Sequence, residues 1–248
     1  MKITVIGENC TDVFVYCDVK RLSPEAPIPV LNPNHTESNP GMAGNVVENL
    51  FSLNSDLDIS FIGQTEDIIK TRYVEEKSNH MFIRVDEETK VSLLELTDEM
   101  IQEIEESDAV IVSDYNKGFL NEEVLLKIAN HAKFIVMDTK KHISEHTISN
   151  FNFIKLNEIE YSKFDKDTKE IYAEKLLATL GSRGARYMNK DYPSPNPKET
   201  IDVSGAGDTF TSAFTLKYLE TKNIDESITF ANEMASIVVS KRGVSTPK

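Results

Sequence analysis

Residues 201–214 read "IDVSGAGDTFTSAF". An extended Ile-Asp-Val runs into Ser204, Gly205, Ala206 and Gly207, then a lone carboxylate, Asp208, before an apolar run resumes. Tiny residues at the start of a helix leave backbone N–H groups open to a close approach, which makes an anion cradle. An acid inside such a cradle repels a resting phosphate but suits a hydroxyl lying between the two. Asp208 would accept the hydroxyl proton while the amides stabilise the transferring phosphoryl group. The alternative is an acid that merely favours the helix dipole, with glycines present for packing. Spacing alone leaves both readings open.

The rest of the chain supplies the frame. "KITVIG", "LDISFIG", "DAVIVSDY", "KFIVMDT" and "FNFIKLN" are short apolar runs of the kind buried on both faces of a sheet. Between several of them lie helical patterns, "GNVVENLFSL", "TDEMIQEIEES" and "NEEVLLKIANHA". Thr97 and Asn121, each followed by two acids, are expected N-caps. Such alternation predicts a mainly parallel sheet flanked by helices. Two long amphipathic segments near the end, "GAGDTFTSAFTLKYLETKN" and "DESITFANEMASIVVSKRG", are expected to pack as neighbours, and "DYPSPNPKE" reads as a polar loop.

Two stretches break the rhythm. Residues 12–37 hold four of the nine prolines and two β-like arms, and residues 70–87 resemble a hairpin turning at Ser78-Asn79. Together they predict a small antiparallel sheet standing off the main layer as a lid over a cleft. Lys70, Arg72 and Arg84 alternate on its hairpin, so all three can point one way, toward an anionic group in the cleft, or serve as a solubilising face. Asp12 is a candidate acceptor for ligand hydroxyls or a turn residue. Asp114 and Lys117 follow a buried strand and are expected to face the cleft. Lys140 either reaches nucleotide phosphates or simply ends a strand.

Composition narrows the function classes. In 248 residues, 27 Lys and Arg face 41 Asp and Glu, a net charge of -14 that opposes non-specific nucleic-acid binding. No apolar run approaches the roughly 20 residues that span a bilayer. "MKITVIGENC" is a first strand rather than a signal peptide, which points to a cytoplasmic protein. Cys10 and Cys17 have no metal-ligand spacing. His142 and His146 lack further ligands nearby and read as surface.

Several motifs then fall in the order of one family. "VSGAGDTF" resembles the signature of the ribokinase or PfkB superfamily of carbohydrate kinases, in which the Asp of G-A-G-D is the catalytic base. "KLNEIEY" is similar to its N-x-x-E motif, which implies Asn157 and Glu160 near a magnesium–phosphate assembly. "TLGSRGA" resembles the nucleotide-binding turn, implying Thr179, Gly181 and Gly184. "FANEMASIVVSKRG" resembles the helix that lines the adenine pocket with Asn232. "NPGMAGNV" resembles the sugar-binding segment with Gly41, Gly44 and Asn45.

"RLSPEAPIPVL", "KTRYV…FIRVD" and "SDYNKGFL" are similar, more narrowly, to the kinase domain of the bifunctional heptose 7-phosphate kinase/ADP-heptose synthase family. The resemblance implies a single α/β ribokinase-like domain over residues 1–248, with a β-sheet lid, ATP and Mg²⁺ as cofactors, and a sugar or sugar phosphate as acceptor. Phosphorylation of O1 of D-glycero-β-D-manno-heptose 7-phosphate is the expected reaction, and a homodimer through the lid is compatible with it. The rivals are another sugar, such as a hexose, and a binding relative without turnover. This sequence departs from the pattern at Glu8, where Asp is usual, and at Met42, where a second glycine is typical. It also shortens the stretches before Lys70 and between Glu160 and Thr179. The nucleotidyltransferase half of that family has no counterpart in these 248 residues.

Overall fold

The computed structural model describes residues 1–195, 201–241 and 243–247, except the side chain of Glu88; part of the Pro-rich loop, residues 196–200, lies outside them. The chain begins with β1 (Lys2–Gly7), β2 (Asn9–Leu22), β3 (Pro29–Met42), α1 (Ala43–Leu53), β4 (Asp58–Ile62), β5 (Ile68–Glu75) and β6 (Met81–Glu88). Then follow α2 (Asp98–Glu106), β7 (Ala109–Asp114), α3 (Glu122–His131), β8 (Ile135–Thr139), α4 (Glu145–Asn150) and β9 (Phe153–Asn157). It closes with α5 (Glu158–Ser162), α6 (Lys166–Ile171), β10 (Leu176–Thr179), a 3-10 turn (Gly181–Arg183), β11 (Ala185–Tyr187), β12 (Lys190–Tyr192), α7 (Ala206–Thr221) and α8 (Ile224–Val238).

Eight strands form the main sheet in the order β12-β11-β10-β9-β8-β7-β1-β4. From β10 to β4 every pairing is parallel, and β11 and β12 add an antiparallel edge. The five apolar runs are β1, β4, β7, β8 and β9. Their side chains alternate between two cores. Ile6, Val110 and Val112 pack with Ile104, Leu125 and Ile128 from α2 and α3. Val5 and Ile111 pack with Val46, Leu50 and Leu216 from α1 and α7. Thr97 and Asn121 cap α2 and α3 as expected, accepting from the N–H groups of Met100 at 3.3 Å and Val124 at 2.8 Å.

Two expectations are corrected. The small sheet, ordered β3-β2-β5-β6, is mixed: β2 runs parallel to β5, because β5 enters from the main layer in the same direction as β2. And α7 is not amphipathic. Every residue from Asp208 to Leu216 is buried, with α1 and α8 packed against it, so its first turns have no solvent face.

The departure at Met42 also has a physical account. Its backbone sits at φ 55°, ψ −130°, a conformation suited to glycine, while the side chain is buried in the core that α2 and α3 cover. The strain, on the order of 1–3 kcal/mol, is offset by burying that side chain. Gly184 is a stricter case. With φ at +89°, a Cβ there would fall on the Tyr192 carbonyl oxygen, so this turn accepts no side chain.

Candidate active site

In a parallel sheet the strand ends deliver residues to one crevice. Here Gly7, Asp114, Thr139, Asn157 and Thr179 are neighbouring strand ends. The N-terminus of α7 arrives against this edge. Gly205 is its N-cap at φ +79°, and a Cβ there would lie 2.6 Å from Asn45 Nδ2, so only glycine lets the turn close.

Asp208, in the first turn of α7, is 4 % exposed and takes two hydrogen bonds. Asn45 Nδ2 donates to its Oδ2 at 2.9 Å, and the Tyr115 hydroxyl donates to its Oδ1 at 2.8 Å. Burial, with the neighbouring Asp138 carboxylate, pushes its pKa up to about 6, against the pull of those donors and Lys155. The group is therefore a stronger base than an ordinary aspartate and still mostly ionised at neutral pH.

A buried ion pair lies under the cradle. Lys155 Nζ donates to Asp138 Oδ2 at 2.8 Å, and it would lie 2.8 Å from a Cβ placed on Gly207. Burial works to lower the Lys155 pKa, but the Asp138 carboxylate outweighs it and holds the ammonium charged. Lys155 and Asp138 escaped the sequence reading, although a lysine inside the apolar run "FNFIKLN" is a signal, since a buried lysine needs a partner.

On the other side, Asp12 is 5 % exposed and bonded to Arg72, whose guanidinium also lies 5.1 Å from the Phe14 ring centre. Gly41 leaves room for the Asp12 carboxylate, and Gly44 lies in the first turn of α1 beside Pro40. Cys10 sits among Asp12, Lys70, Arg72 and Asp208, and burial pushes its thiol up to about 12. Lys140 Nζ lies 3.8 Å and Lys70 Nζ 5.6 Å from the Tyr115 ring centre. Among the described residues neither lysine forms an ion pair, which leaves two ammonium groups beside the buried base.

The structure thus brings together Asp208, Gly205, Ala206, Gly207, Asn45, Asp12, Gly41, Lys70, Arg72 and Lys140. Three expected residues are committed elsewhere. Asp114 is buried and turned to Thr139 Oγ1 at 2.9 Å, Lys141 Nζ at 3.0 Å and the Asn116 N–H at 3.0 Å, so its carboxylate has no face toward a sugar. Arg84 shares a register position with Arg72 but is exposed and clamped to Asp86. Asn232 donates to the Tyr192 carbonyl at 2.9 Å and so secures the edge hairpin.

Asn157 and Glu160 form a capping box at α5, with reciprocal bonds of 2.9 and 2.7 Å. Glu160 is nevertheless buried, and desolvation raises its pKa, so a cation beside it would restore its charge. One such carboxylate fits Mg²⁺, which keeps much of its water and binds few protein ligands. Thr179 pairs with Asn157 across the strand ends, and Gly181, at φ +59°, opens the turn with free space around it.

Glu8 explains the departure from Asp. Its longer side chain reaches the loop after β7, where its carboxylate accepts the N–H groups of Tyr115 at 2.8 Å, Lys117 at 2.9 Å and Phe119 at 3.2 Å. A concavity of 650 Å³ bounded by Tyr187, Lys190, Lys222 and Asp225 lies by the edge hairpin and holds none of these groups.

Comparison with known proteins shows the family and the fold. A family model described as "pfkB family carbohydrate kinase" matches residues 48–248. The bifunctional protein HldE of Helicobacter acinonychis is 32% identical over 98% of this chain and 63% of its own length. HldE of Nitratiruptor is 30% identical over 99% of the chain and 63% of its own. The chain therefore spans about 63% of these curated relatives. Among solved structures, ribokinase from Thermotoga maritima superposes with a TM-score of 0.72 at 20% identity, covering 98% of this chain and 94% of that one. Arabidopsis thaliana ribokinase, solved with ribose and ATP, gives 0.68 at 14% identity, over 97% and 93%.

Proposed function

This chain belongs to the pfkB family of carbohydrate kinases, phosphotransferases with an alcohol acceptor, and on that footing we propose that it moves the terminal phosphoryl group of ATP to O1 of D-glycero-β-D-manno-heptose 7-phosphate. The observation that carries the kinase chemistry is the buried Asp208 carboxylate, raised to about 6, at the open N-terminus of α7. In this reading Asp208 takes the acceptor's hydroxyl proton, and the amides of Gly205, Ala206 and Gly207 stabilise charge on the moving group. Lys155 adds a fixed positive charge below Gly207. Asn45 orients the base, while Asp12 and Gly41 meet the sugar. Glu160 would hold Mg²⁺ through water, beside a nucleotide seated at Thr179 and Gly181. When bound, that ion neutralises phosphate charge. Such work suits a cytoplasmic enzyme.

The heptose phosphate is favoured by the HldE relatives and by Lys70, an ammonium that forms no ion pair among the described residues and is carried on the small sheet, which acts here as the lid. A screen of acceptors with ATP and magnesium, read by ADP release, tests it. The phosphorylated heptose should exceed hexoses and unphosphorylated sugars. Lys70→Ala should raise KM for it roughly tenfold with a small change in kcat, as expected for a lost charge-assisted contact. Preference for an unphosphorylated sugar, with Lys70→Ala silent, would remove this acceptor.

The outer strand of the lid also supports self-association. β6 is an edge strand carrying exposed Met81, Phe82, Ile83 and Val85. Sedimentation should find a dimer that Ile83→Lys dissociates, and a monomer at every concentration would refute it.

A further inference from the structure

We propose that Tyr115 is a positioning residue for the base, its hydroxyl fixing Oδ1 of Asp208 while Asn45 fixes Oδ2, so that the carboxylate is aimed at the acceptor from both sides. The proposal rests on the reading of Asp208 as base. The contact spans 93 residues of sequence and closes at 2.8 Å, half-buried, against the buried Asp208. It is supported from behind: Glu8 holds the Tyr115 N–H at 2.8 Å and the next turn through Lys117 and Phe119. Asn45 is steadied in turn by Asn49, whose Nδ2 donates to its Oδ1 at 3.0 Å. A carboxylate clasped by two fixed donors keeps lone pairs for a third. The acceptor hydroxyl thus meets an oxygen whose direction is already set, which is the use of preorganisation in proton transfer.

Tyr115 keeps its proton, so toward the ionised Asp208 carboxylate it is the donor. Burial, with Asp208 and Asp138 beside it, holds its phenol well above the usual range. Its ring meets Lys140 from the nucleotide side and Lys70 from the lid. The charged and titratable groups around Asp208 are therefore Asp138 and Lys155 from β8 and β9, Lys140 after β8, Lys70 and Arg72 from β5, and Cys10 and Asp12 from β2. Of these neighbours, burial and Asp138 raise the Asp208 pKa, whereas Asn45, Tyr115 and Lys155 lower it.

Tyr115→Phe removes the donor and keeps the ring with both lysine contacts. Carbon-13 NMR of labelled Asp, with Asp208 assigned by its loss in Asp208→Asn, should show the carboxyl titrating roughly one unit higher in Tyr115→Phe. The acid limb of kcat should move by the same amount, so turnover at pH 6 falls several-fold more than at pH 8.5, with KM for ATP unchanged. A merely structural tyrosine would lower the melting temperature and leave both profiles in place. In unmutated protein, the Tyr115 Cζ resonance should also move with the Asp208 midpoint, which needs no variant to fold. Absence of that shared midpoint, or an unshifted Asp208 in Tyr115→Phe, overturns the proposal. If the NMR shifts appear but the unmutated protein turns over no acceptor, the kinase reading fails and the Tyr115 contact stands.

Discussion

Replacing Asp208 with asparagine lowers kcat by roughly a hundred- to ten-thousand-fold, the usual span for a general acid–base group, and leaves nucleotide affinity unchanged. The amide has nearly the shape of the carboxylate. Its oxygen still accepts from Asn45 and its NH₂ can donate to the Tyr115 oxygen, so the site keeps its form and loses its base. The pH dependence of stability separates this from unfolding. The folded-state pKa of Asp208, about 6, lies above the ordinary aspartate value. Ionisation therefore costs stability above about pH 6, and the cost fades as pH falls toward 4. At pH 7 that cost is on the order of 2–3 kcal/mol, and asparagine avoids it. Asp208→Asn should thus melt no lower than the unmutated protein at pH 7 while being nearly inactive. Turnover of the unmutated protein should decline below pH 6 as the base protonates. Calorimetry, ADP release across pH and nucleotide titration check the three parts. Near-normal turnover in Asp208→Asn removes the base assignment.

Lys155→Met has the second large effect, on stability and turnover together. Both partners of the Lys155–Asp138 pair are nearly out of water, with side chains 8% and 10% exposed. Removing the ammonium strands a buried carboxylate, at a cost of about 3–5 kcal/mol. For a domain of this size that lowers the melting temperature by roughly 10 °C. The pair's contribution is constant across neutral pH: the raised Lys155 pKa means its stabilisation is complete below the ordinary lysine value and is lost only as pH rises through the folded one. Lys155→Met with Asp138→Asn should recover much of the stability, because neither buried charge remains. It should not recover turnover, because no positive charge then lies under Gly207, and a lost charge of that kind costs roughly a hundredfold. Recovery of both would make the pair purely structural.

Much of the fold was legible because its signals are local. Five apolar runs became five of the six parallel strands of the main sheet, and Thr97 and Asn121 capped the helices they precede. The mixed pairing of the small sheet was not legible. A hairpin shows in a short window, but the parallel contact of β2 with β5 depends on how two distant segments leave the main layer. The misreading of α7 has a similar cause. Its run of Thr, Ser and Ala looks half polar, yet those hydroxyls bond inside the helix, as Ser212 does to the Asp208 carbonyl, so both faces can be buried.

The sequence by itself determined the layered α/β plan, the glycine turn ahead of Asp208 and the chemical character of the cradle, since each depends on residues only a few positions apart. Tertiary structure alone decided which polar groups reach it. It spent Asp114 on Thr139 and Lys141, and Arg84 on Asp86, and it delivered Tyr115, Lys155 and Asp138 instead. Asn45 meets Asp208 across 163 residues and Glu8 meets Tyr115 across 107. Such contacts are set by strand order and by the need to pair every buried charge, a requirement that acts on the whole packed molecule and leaves little mark on any short window of the chain.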